Sequence, residues 1–269
     1  LDYFEALYAR LGTKFDHYFF ESETGKAGAE LVRRHIGDVF EESDGAVVFP
    51  ESKSGLHTRV FLNSEGLPTY EAKELGLARM KYDWFPYDRS VIVTGNEINE
   101  YFKVLLKAME YVYPDLAQKT VHIGHGMLRL QGGKMSSRTG NILSATELLD
   151  EAARVAREKS DGDAAEVVAL GAVKYSILKN EIHKDIVFDF ESSISFEGNS
   201  GPYLQYTYAR ARSVLAKSHA TATDHSDHLE IESPSAVERL LYRFPEVVER
   251  AGEEYAPHHI CGYLFDLAQ

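Results

Sequence analysis

The pattern of apolar residues changes midway along the 269-residue chain. In the first half, short apolar and β-branched runs bounded by Gly, Pro, Asn or charged residues predict strands. These runs are Ala46–Pro50, Arg59–Asn63, Ser90–Gly95 and Val121–Leu130. Between them, apolar residues at helical spacing predict helices over Tyr70–Tyr82 and Glu97–Tyr111. Strands that alternate with helices indicate an α/β part with a parallel sheet and crossover helices.

The second half of the chain loses the strand pattern. Its helical segments are Thr146–Lys159, Ala164–Asn180, Tyr203–Lys217, Ser235–Ala251 and Pro257–Gln269. The run Asn199–Pro202 is typical of a helix start, because Ser or Asn can cap a helix and Pro is tolerated in the first turn. We place a boundary within Asp185–Ser200, where Gly and Ser collect. The sequence therefore predicts an α/β part followed by an all-α part.

Charge and cysteine content exclude several classes of protein. The net charge of −13 disfavours a protein that coats nucleic acid through one large basic field. Two local stretches, Gly126–Ala145 and Tyr203–Ala220, nevertheless carry basic residues and no acidic ones. The single cysteine, Cys261, excludes a disulfide framework and fits a reducing compartment. No apolar run approaches the roughly 20 residues that span a bilayer. We expect a cytoplasmic protein that does not enter a membrane.

The segment Gly132–Asn141 (GGKMSSRTGN) combines groups that bind phosphate. It offers a compact cation at Lys134, a guanidinium at Arg138 and several hydroxyls, and its glycines let a ligand come close. This set suits a triphosphate, although the order is not that of a Walker loop. A solvated basic loop is the alternative interpretation.

Several motifs resemble arginyl-tRNA synthetases. Lys134–Arg138 (KMSSR) is similar to the KMSKS signature of class I aminoacyl-tRNA synthetases. Phe196–Arg210 (FEGNSGPYLQYTYAR) resembles the start of the helical anticodon-binding domain of the arginyl enzymes. Gly66–Tyr70 (GLPTY) and Ser43–Val47 (SDGAV) extend the resemblance, whose order and spacing fit from about Phe15 to the end. The chain resembles such an enzyme without its N-terminal part and its extreme C-terminus.

The resemblance implies a fold and a reaction. Residues 1–190 would form the C-terminal part of a class I Rossmann-like catalytic domain, and residues 191–269 a truncated helical anticodon-binding domain. The implied activity uses ATP, with Mg²⁺ as its counter-ion, to convert arginine to arginyl-adenylate and then transfers the arginyl group to tRNA(Arg). Catalysis would rest on positioning and on electrostatic stabilisation at the α-phosphate. The resemblance further implies a monomer.

By the same resemblance, the KMSSR segment is the ATP site. Lys134 would be the catalytic cation, and the ATP-binding residues would be Lys134, Met135, Ser136, Ser137 and Arg138. The second Lys of KMSKS is Ser137 here, with Arg138 beside it.

The tetrapeptide His122–His125 spells HIGH, the other class I signature. In the family, HIGH opens the first helix of the nucleotide fold, far upstream of KMSKS. Here it ends nine residues before Lys134, inside a predicted strand that aligns with an HVGFG-like strand of the family. We interpret it as a coincidence and expect the true signature to precede Leu1, which would leave these residues a poor catalyst on their own.

Recognition of arginine requires a carboxylate and planar acceptors for the guanidinium. Tyr70 and Glu74 are four residues apart and share one face of a predicted helix. They match the family's Tyr-x-x-x-Asp pair, with Glu in place of Asp; an ordinary surface Glu is the alternative. The family often has a Gln at the position of Ile98, for which Asn96 or Glu97 would substitute.

The helix that follows Pro202 carries aromatic and basic residues. Tyr206, Arg210 and Arg212 are the expected tRNA contacts, since aromatic rings stack on bases and arginines bind phosphates. We expect the apolar residues of this helix to form a core stripe: Leu204, Tyr208, Ala211 and Leu215.

No metal site is predicted. The pairs His225 with His228 and His258 with His259 are more typical of surface or capping histidines, because no cysteine or third ligand accompanies them.

Two other functions compete with arginine–tRNA ligation. One is a non-catalytic tRNA-binding or regulatory protein derived from a synthetase. The other is a different class I enzyme of cysteinyl type, which should show Cys and His zinc ligands; this chain has one Cys.

Overall fold

The computed structural model describes residues 1–130, 144–160, 164–218 and 233–269. The elements in chain order are α1 (Asp2–Leu11), α2 (Glu21–Arg34), β1 (Glu41–Ser43), β2 (Ala46–Phe49), α3 (Glu51–Ser54), β3 (Arg59–Leu62), α4 (Tyr70–Trp84), β4 (Ser90–Gly95), a 3-10 helix (Asn96–Ile98), α5 (Asn99–Val112), α6 (Pro114–Lys119), β5 (Thr120–His125), β6 (Leu128–Leu130), α7 (Ala145–Lys159), α8 (Ala165–Leu178), β7 (Ile186–Phe188), α9 (Phe190–Ser193), α10 (Gly201–Lys217), α11 (Ala236–Glu253) and α12 (His258–Ala268). Two compact units are present, Lys14–His125 and Leu1–Thr13 together with Gly126–Gln269. No helix in the described ranges is long and apolar enough to cross a membrane.

The Lys14–His125 unit contains two sheets. Strands β4 and β5 pair in parallel from Ser90↔Thr120 to Gly95↔His125, with α5 and α6 as the crossover, as the sequence predicts. Strands β1, β2 and β3 instead form an antiparallel sheet, so the prediction of a parallel sheet is wrong there. The reason is local: Asp44 and Gly45 both have positive φ, 51° and 78°, and make the two-residue turn that closes an antiparallel hairpin.

The predicted strand Val121–Leu130 is two strands. Strand β5 ends at His125, and β6 pairs in parallel with β7 in the other unit. The chain leaves the first ladder because the backbone N–H of Gly126 donates to the carbonyl of Ile182, 2.8 Å away. The next N–H, of Met127, donates to the carboxylate of Asp185 at 2.8 Å.

Helix α4 is held against α2 by a close backbone approach. A Cβ on Gly28 of α2 would lie 1.8 Å from the carbonyl oxygen of Ala72, and one on Gly76 would lie 2.3 Å from that of Thr24. Only glycine allows the two helices to meet at this distance. Beneath them, the fully buried rings of Phe40, Phe49 and Phe61 pack together with apolar residues of α4 and α5.

The other unit packs α7 against α8 around a core rich in alanine, including Ala152, Ala156 and Ala172. Ser200 caps α10 by accepting from the N–H of Tyr203, which confirms the predicted helix start.

The predicted core stripe on α10 is wrong. Tyr208 and Leu215 are each 67% exposed, and Ala211 is exposed as well. The helix is anchored through its first turns instead. There, the Tyr203 hydroxyl donates to the carbonyl of Ala268 and the Gln205 amide donates to that of Val167. Beyond these turns, helical spacing of apolar residues does not produce burial, because no other described element covers that face.

Candidate active site

Tyr70 is the first residue of α4, and its position is set by the residue before it. The hydroxyl of Thr69 lies 2.8 Å from the carbonyl oxygen of Val60 and 3.1 Å from that of Phe61, to which it can donate. These contacts tie the start of α4 to strand β3. Glu74 follows one turn later, so both side chains sit on the helix segment that is fixed by β3 and α2.

Tyr70 and Glu74 are half-buried and interact with each other. Burial raises the pKa of Glu74, while the charge of Lys81 and a hydrogen bond from Tyr70 act to lower it. Burial and the nearby negative charge of Glu74 raise the pKa of Tyr70. The phenol therefore stays neutral and can donate, and the carboxylate carries a desolvation cost that a bound cation would offset.

Two other carboxylates near Tyr70 differ from Glu74 in being paired. Glu21 lies 2.6 Å from the ammonium of Lys73, and Glu71 lies 3.6 Å from the guanidinium of Arg59. Within the part of the chain that the structure describes, no lysine or arginine forms such an ion pair with Glu74. Glu74 is thus the carboxylate of this group without an ion pair; the charge of Lys81 acts on it, but the Lys81 ammonium donates to the Ser90 hydroxyl at 3.0 Å.

The ends of β4 and β5 form the second part of the site. Ligands of open parallel sheets bind at the carboxyl ends of the strands. Here β4 is followed at once by Asn96 and Glu97 of the 3-10 helix, and the Glu97 carboxylate lies over Gly95, where a Cβ would be only 2.2 Å away. Position 98 is an isoleucine that packs against the core, so it offers no side-chain amide to a ligand.

Asn99 is a polar residue that sequence reasoning missed. Its side-chain oxygen is buried and has no hydrogen-bond partner in the described structure. It lies against Gly124 of β5, where a Cβ would come within 2.0 Å. The only sequence signal was a polar residue next to Ile98.

A chain of ring contacts joins the two parts. Tyr70 meets the ring of Phe102 edge-on, with centroids 6.1 Å apart, and Phe102 stacks on His122 at 3.7 Å and 2°. The Nε2 of His122 lies 2.7 Å from the hydroxyl of Thr94, one residue before Gly95. The structure thereby connects Tyr70 and Glu74 to the strand end that carries Asn96 and Glu97.

The HIGH tetrapeptide lies entirely within strand β5, which agrees with its interpretation as a strand rather than a helix opening. Three of its four residues have a local role in the packing. His122 stacks on Phe102, Ile123 is buried, and Gly124 makes room for Asn99.

The predicted ATP-binding residues, Lys134, Met135, Ser136, Ser137 and Arg138, lie outside the described residues, and so do His225 and His228. The strand that precedes them in sequence, β6, is held at its start by Asp185. That carboxylate accepts from the N–H of Met127 at 2.8 Å and pairs with Arg129 at 2.7 Å.

The predicted tRNA contacts lie on α10. Tyr206 is 47% exposed, and the guanidinium of Arg210 lies 5.6 Å from the centre of its ring. Arg212 is also exposed. The described residues contain no group of three or more His, Cys, Asp or Glu placed to hold a metal ion; His259 pairs with Glu254 at 2.6 Å.

The sequence matches two known families. Residues 29–190 match tRNA synthetases class I (R), catalytic domain, and residues 204–269 match the DALR anticodon binding domain. The first match covers more than half of the chain. The order of the two matches confirms the fold class expected from the sequence, a class I catalytic part followed by a helical anticodon-binding part.

Relatives and solved structures point the same way. The arginine–tRNA ligase of Porphyromonas gingivalis is 34% identical over 288 residues, which cover 100% of this chain and 48% of that protein. That of Treponema pallidum is 35% identical, over 97% of this chain and 48% of its own length. The Thermus thermophilus arginyl-tRNA synthetase structure matches with a TM-score of 0.80 at 29% identity, covering 98% of this chain and 53% of that one. The chain therefore spans about half the length of the curated relatives it matches.

Proposed function

Because the chain belongs to the class I (R) tRNA synthetase family, we propose that it carries the arginine site, the phosphate loop and the anticodon-binding helices of an arginine–tRNA ligase. The substrates are arginine, ATP with Mg²⁺, and tRNA(Arg), and the protein is a cytoplasmic monomer. The observation that carries the proposal is the half-buried Glu74 carboxylate, beside Tyr70 and without an ion-pair partner among the described residues.

A guanidinium is the ligand that this carboxylate fits. Removing a carboxylate from water without a paired cation costs several kcal/mol in proteins. Arginine supplies a planar fork of donors that a carboxylate accepts in bidentate fashion. Glu74 accepts from this fork, and the neutral Tyr70 hydroxyl fixes the carboxylate. Asn96 and Glu97, at the end of β4, accept the remaining donors of the amino acid.

Adenylation requires little covalent chemistry from the protein. The arginine carboxylate attacks the α-phosphate in line, and pyrophosphate leaves as negative charge grows on its oxygens. Lys134 stabilises this charge, and Met135, Ser136, Ser137 and Arg138 hold the ATP phosphates. The later transfer to tRNA depends on docking of the RNA, for which Tyr206 offers a stacking surface and Arg210 and Arg212 offer phosphate contacts.

Amino-acid-dependent ATP–pyrophosphate exchange tests the proposal. The protein is the gene product that contains these 269 residues, assayed with each of the twenty amino acids and with citrulline. We expect exchange with arginine and background rates with lysine and citrulline, which lack the charged fork. Exchange that prefers another amino acid, or none at all in the presence of tRNA(Arg), would refute arginine–tRNA ligation.

The same exchange assay on the 269 residues alone tests the interpretation that the HIGH tetrapeptide is not the class I signature. We expect their exchange rate to be far below that of the Porphyromonas gingivalis enzyme, since they correspond to 48% of its length. A comparable rate would make His122 and His125 the true signature.

A further inference from the structure

His122 is the residue of the HIGH tetrapeptide that contacts both parts of the proposed arginine site. Its ring is half-buried and lies parallel to that of Phe102, 3.7 Å away. Phe102 is only 1% exposed, so its ring cannot shift without disturbing the core. Phe102 also meets the ring of Tyr70 in T-shaped geometry, so His122, Phe102 and Tyr70 form one continuous set of ring contacts.

The Nε2 edge of the His122 ring contacts Thr94 of β4. Burial lowers the pKa of His122, so the imidazole is neutral near pH 7, with one nitrogen as donor and one as acceptor. The Thr94 hydroxyl lies 3.2 Å from the carbonyl of Gly95, to which it can donate, which leaves its lone pairs for the Nε2–H of His122 at 2.7 Å. This sequence of hydrogen bonds fixes the backbone at the point where β4 passes into Asn96 and Glu97.

We propose that His122 is a positioning residue of the arginine site, an inference that rests on the proposed function. It sets Tyr70 and Glu74 through Phe102, and Asn96 and Glu97 through Thr94. The substrate-binding groups come from two elements, α4 and the turn after β4, and His122 fixes their relative placement. Recognition of a planar fork tolerates little misplacement, because productive geometry must be held within about 0.5 Å.

Three substitutions separate the two contacts. His122→Ala removes both, His122→Phe keeps the ring stack, and His122→Gln keeps a hydrogen-bonding group for Thr94. In ATP–pyrophosphate exchange with the full gene product, we expect His122→Ala to raise the KM for arginine by up to about tenfold, because loss of the His122–Thr94 hydrogen bond and of the ring stack displaces the groups that bind arginine. The KM for ATP should stay within about twofold. His122→Phe and His122→Gln should each recover part of the affinity for arginine.

His35→Ala is the matched control for general destabilisation. His35 is a half-buried histidine of the same unit, whose Nδ1 lies 2.9 Å from the carbonyl of Leu31 at the end of α2. It should leave both KM values unchanged.

Each other outcome overturns the proposal in an identifiable way. A selective loss in kcat or in ATP affinity would give His122 a role in ATP binding, as expected if the tetrapeptide were the true HIGH signature. No change in any parameter would make it an ordinary strand residue. Equal losses in all parameters, unrelieved by Phe or Gln, would make its role one of stability alone.

Glu74→Gln in the same assay distinguishes failure of the proposed arginine site from failure of the positioning role of His122. If it leaves the arginine KM unchanged, the proposed arginine site is wrong. If it raises this KM while His122→Ala does not, only the positioning role fails.

Discussion

The half-buried site around Glu74 and the exposed face of α10 each place a tyrosine beside a charged side chain, but they differ in burial and in the sign of that charge. In the first, Tyr70 and Glu74 are withdrawn from water, and burial shifts the pKa of each. In the second, Tyr206 and Arg210 stand at the surface. Both regions combine an aromatic ring with charged groups, yet only the first partly buries them.

The difference matches the two kinds of ligand in the proposed function. A small cation is selected by a desolvated partner of opposite charge, because the penalty of leaving that partner unpaired rejects the wrong ligand. A polyanion is bound by exposed cations that release its counter-ions, and its unpaired bases stack on exposed rings. Under the proposed function, the amino acid would be recognised by a half-buried carboxylate and the RNA by exposed side chains, and each of these two proposals has a separate test.

The largest expected effect falls on neither region. Lys134→Ala should lower the rate of arginine-dependent adenylation by about 100- to 1000-fold, because removal of one electrostatic contact to a transition state costs about 2.7–4 kcal/mol. The KM for arginine should stay near that of the parent protein. Steady-state exchange kinetics check this, with Lys103→Ala as control, since Lys103 is an exposed lysine paired with Glu100. A raised arginine KM with intact kcat would instead assign Lys134 to amino-acid binding.

Glu74→Gln tests the buried region directly. Losing a charged hydrogen bond should weaken arginine binding by about 1.5–3 kcal/mol, roughly ten- to a hundredfold, with little change for ATP. The stability of the free protein should change little, because burial disfavours the charged form that the substitution removes, while Lys81 loses a favourable charge. Calorimetric titration with arginine and thermal unfolding measure the two effects.

Glu71→Gln is the matched control for Glu74→Gln, being the same change on the same helix. Glu71 is buried and paired with Arg59. Its loss should lower the melting temperature and spare arginine affinity. If the two variants changed the melting temperature and the arginine affinity alike, pairing with Arg59 would not distinguish the role of Glu71 from that of Glu74.

The pH dependence sharpens the same contrast. Since burial raises the pKa of Glu74, arginine affinity should fall as pH drops through that raised pKa, by at most about tenfold per pH unit. The contribution of this carboxyl to stability has the opposite sign. It is fully present below the pKa of the unfolded chain and is lost as pH rises through the folded pKa. Titration calorimetry across pH should show this loss of affinity, and Glu74→Gln should abolish it.

The sequence predicts what is local. Strand β4 coincides with the predicted Ser90–Gly95, and Ser200 starts α10 as its neighbours indicate. The pair Tyr70 and Glu74 could be placed on one helix face from their spacing alone. The direction of pairing of β1 to β3 was missed, although Asp44 and Gly45 carry the hairpin signal.

Contacts between elements that are distant in sequence could not be predicted from local patterns. His122, Phe102 and Thr94 meet from β5, α5 and β4, and no periodicity links them. The predicted burial of Tyr208 is wrong for a related reason. Its helical spacing is that of a core residue, but burial depends on whether another element covers the face, which the segment itself does not encode.

Changes on the exposed face of α10 should be milder. Arg210→Gln or Arg212→Gln should raise the KM for tRNA a few-fold and reduce the salt dependence of tRNA binding by a slope of about 1 per lost phosphate contact. Arginine and ATP parameters should not move. Filter binding across salt concentrations measures the slope. Arg154→Gln serves as control, because this arginine of α7 is engaged by Glu151 and Glu158. An unchanged slope in both variants would remove α10 from the RNA contact.

The smallest effect is expected at Tyr208, and it decides whether the exposed region is a surface at all. Replacing a core aromatic by alanine costs about 3–5 kcal/mol, whereas an exposed substitution stays within about 0.5 kcal/mol. At 67% exposure, Tyr208→Ala should shift the melting temperature of the gene product by less than about 2 °C. Phe102→Ala, in the buried region, should lower it by several times that amount. If Tyr208→Ala were as costly as Phe102→Ala, the face would be covered in the complete protein, and Tyr206 and Arg210 would have to be judged as packing residues rather than as contacts for RNA.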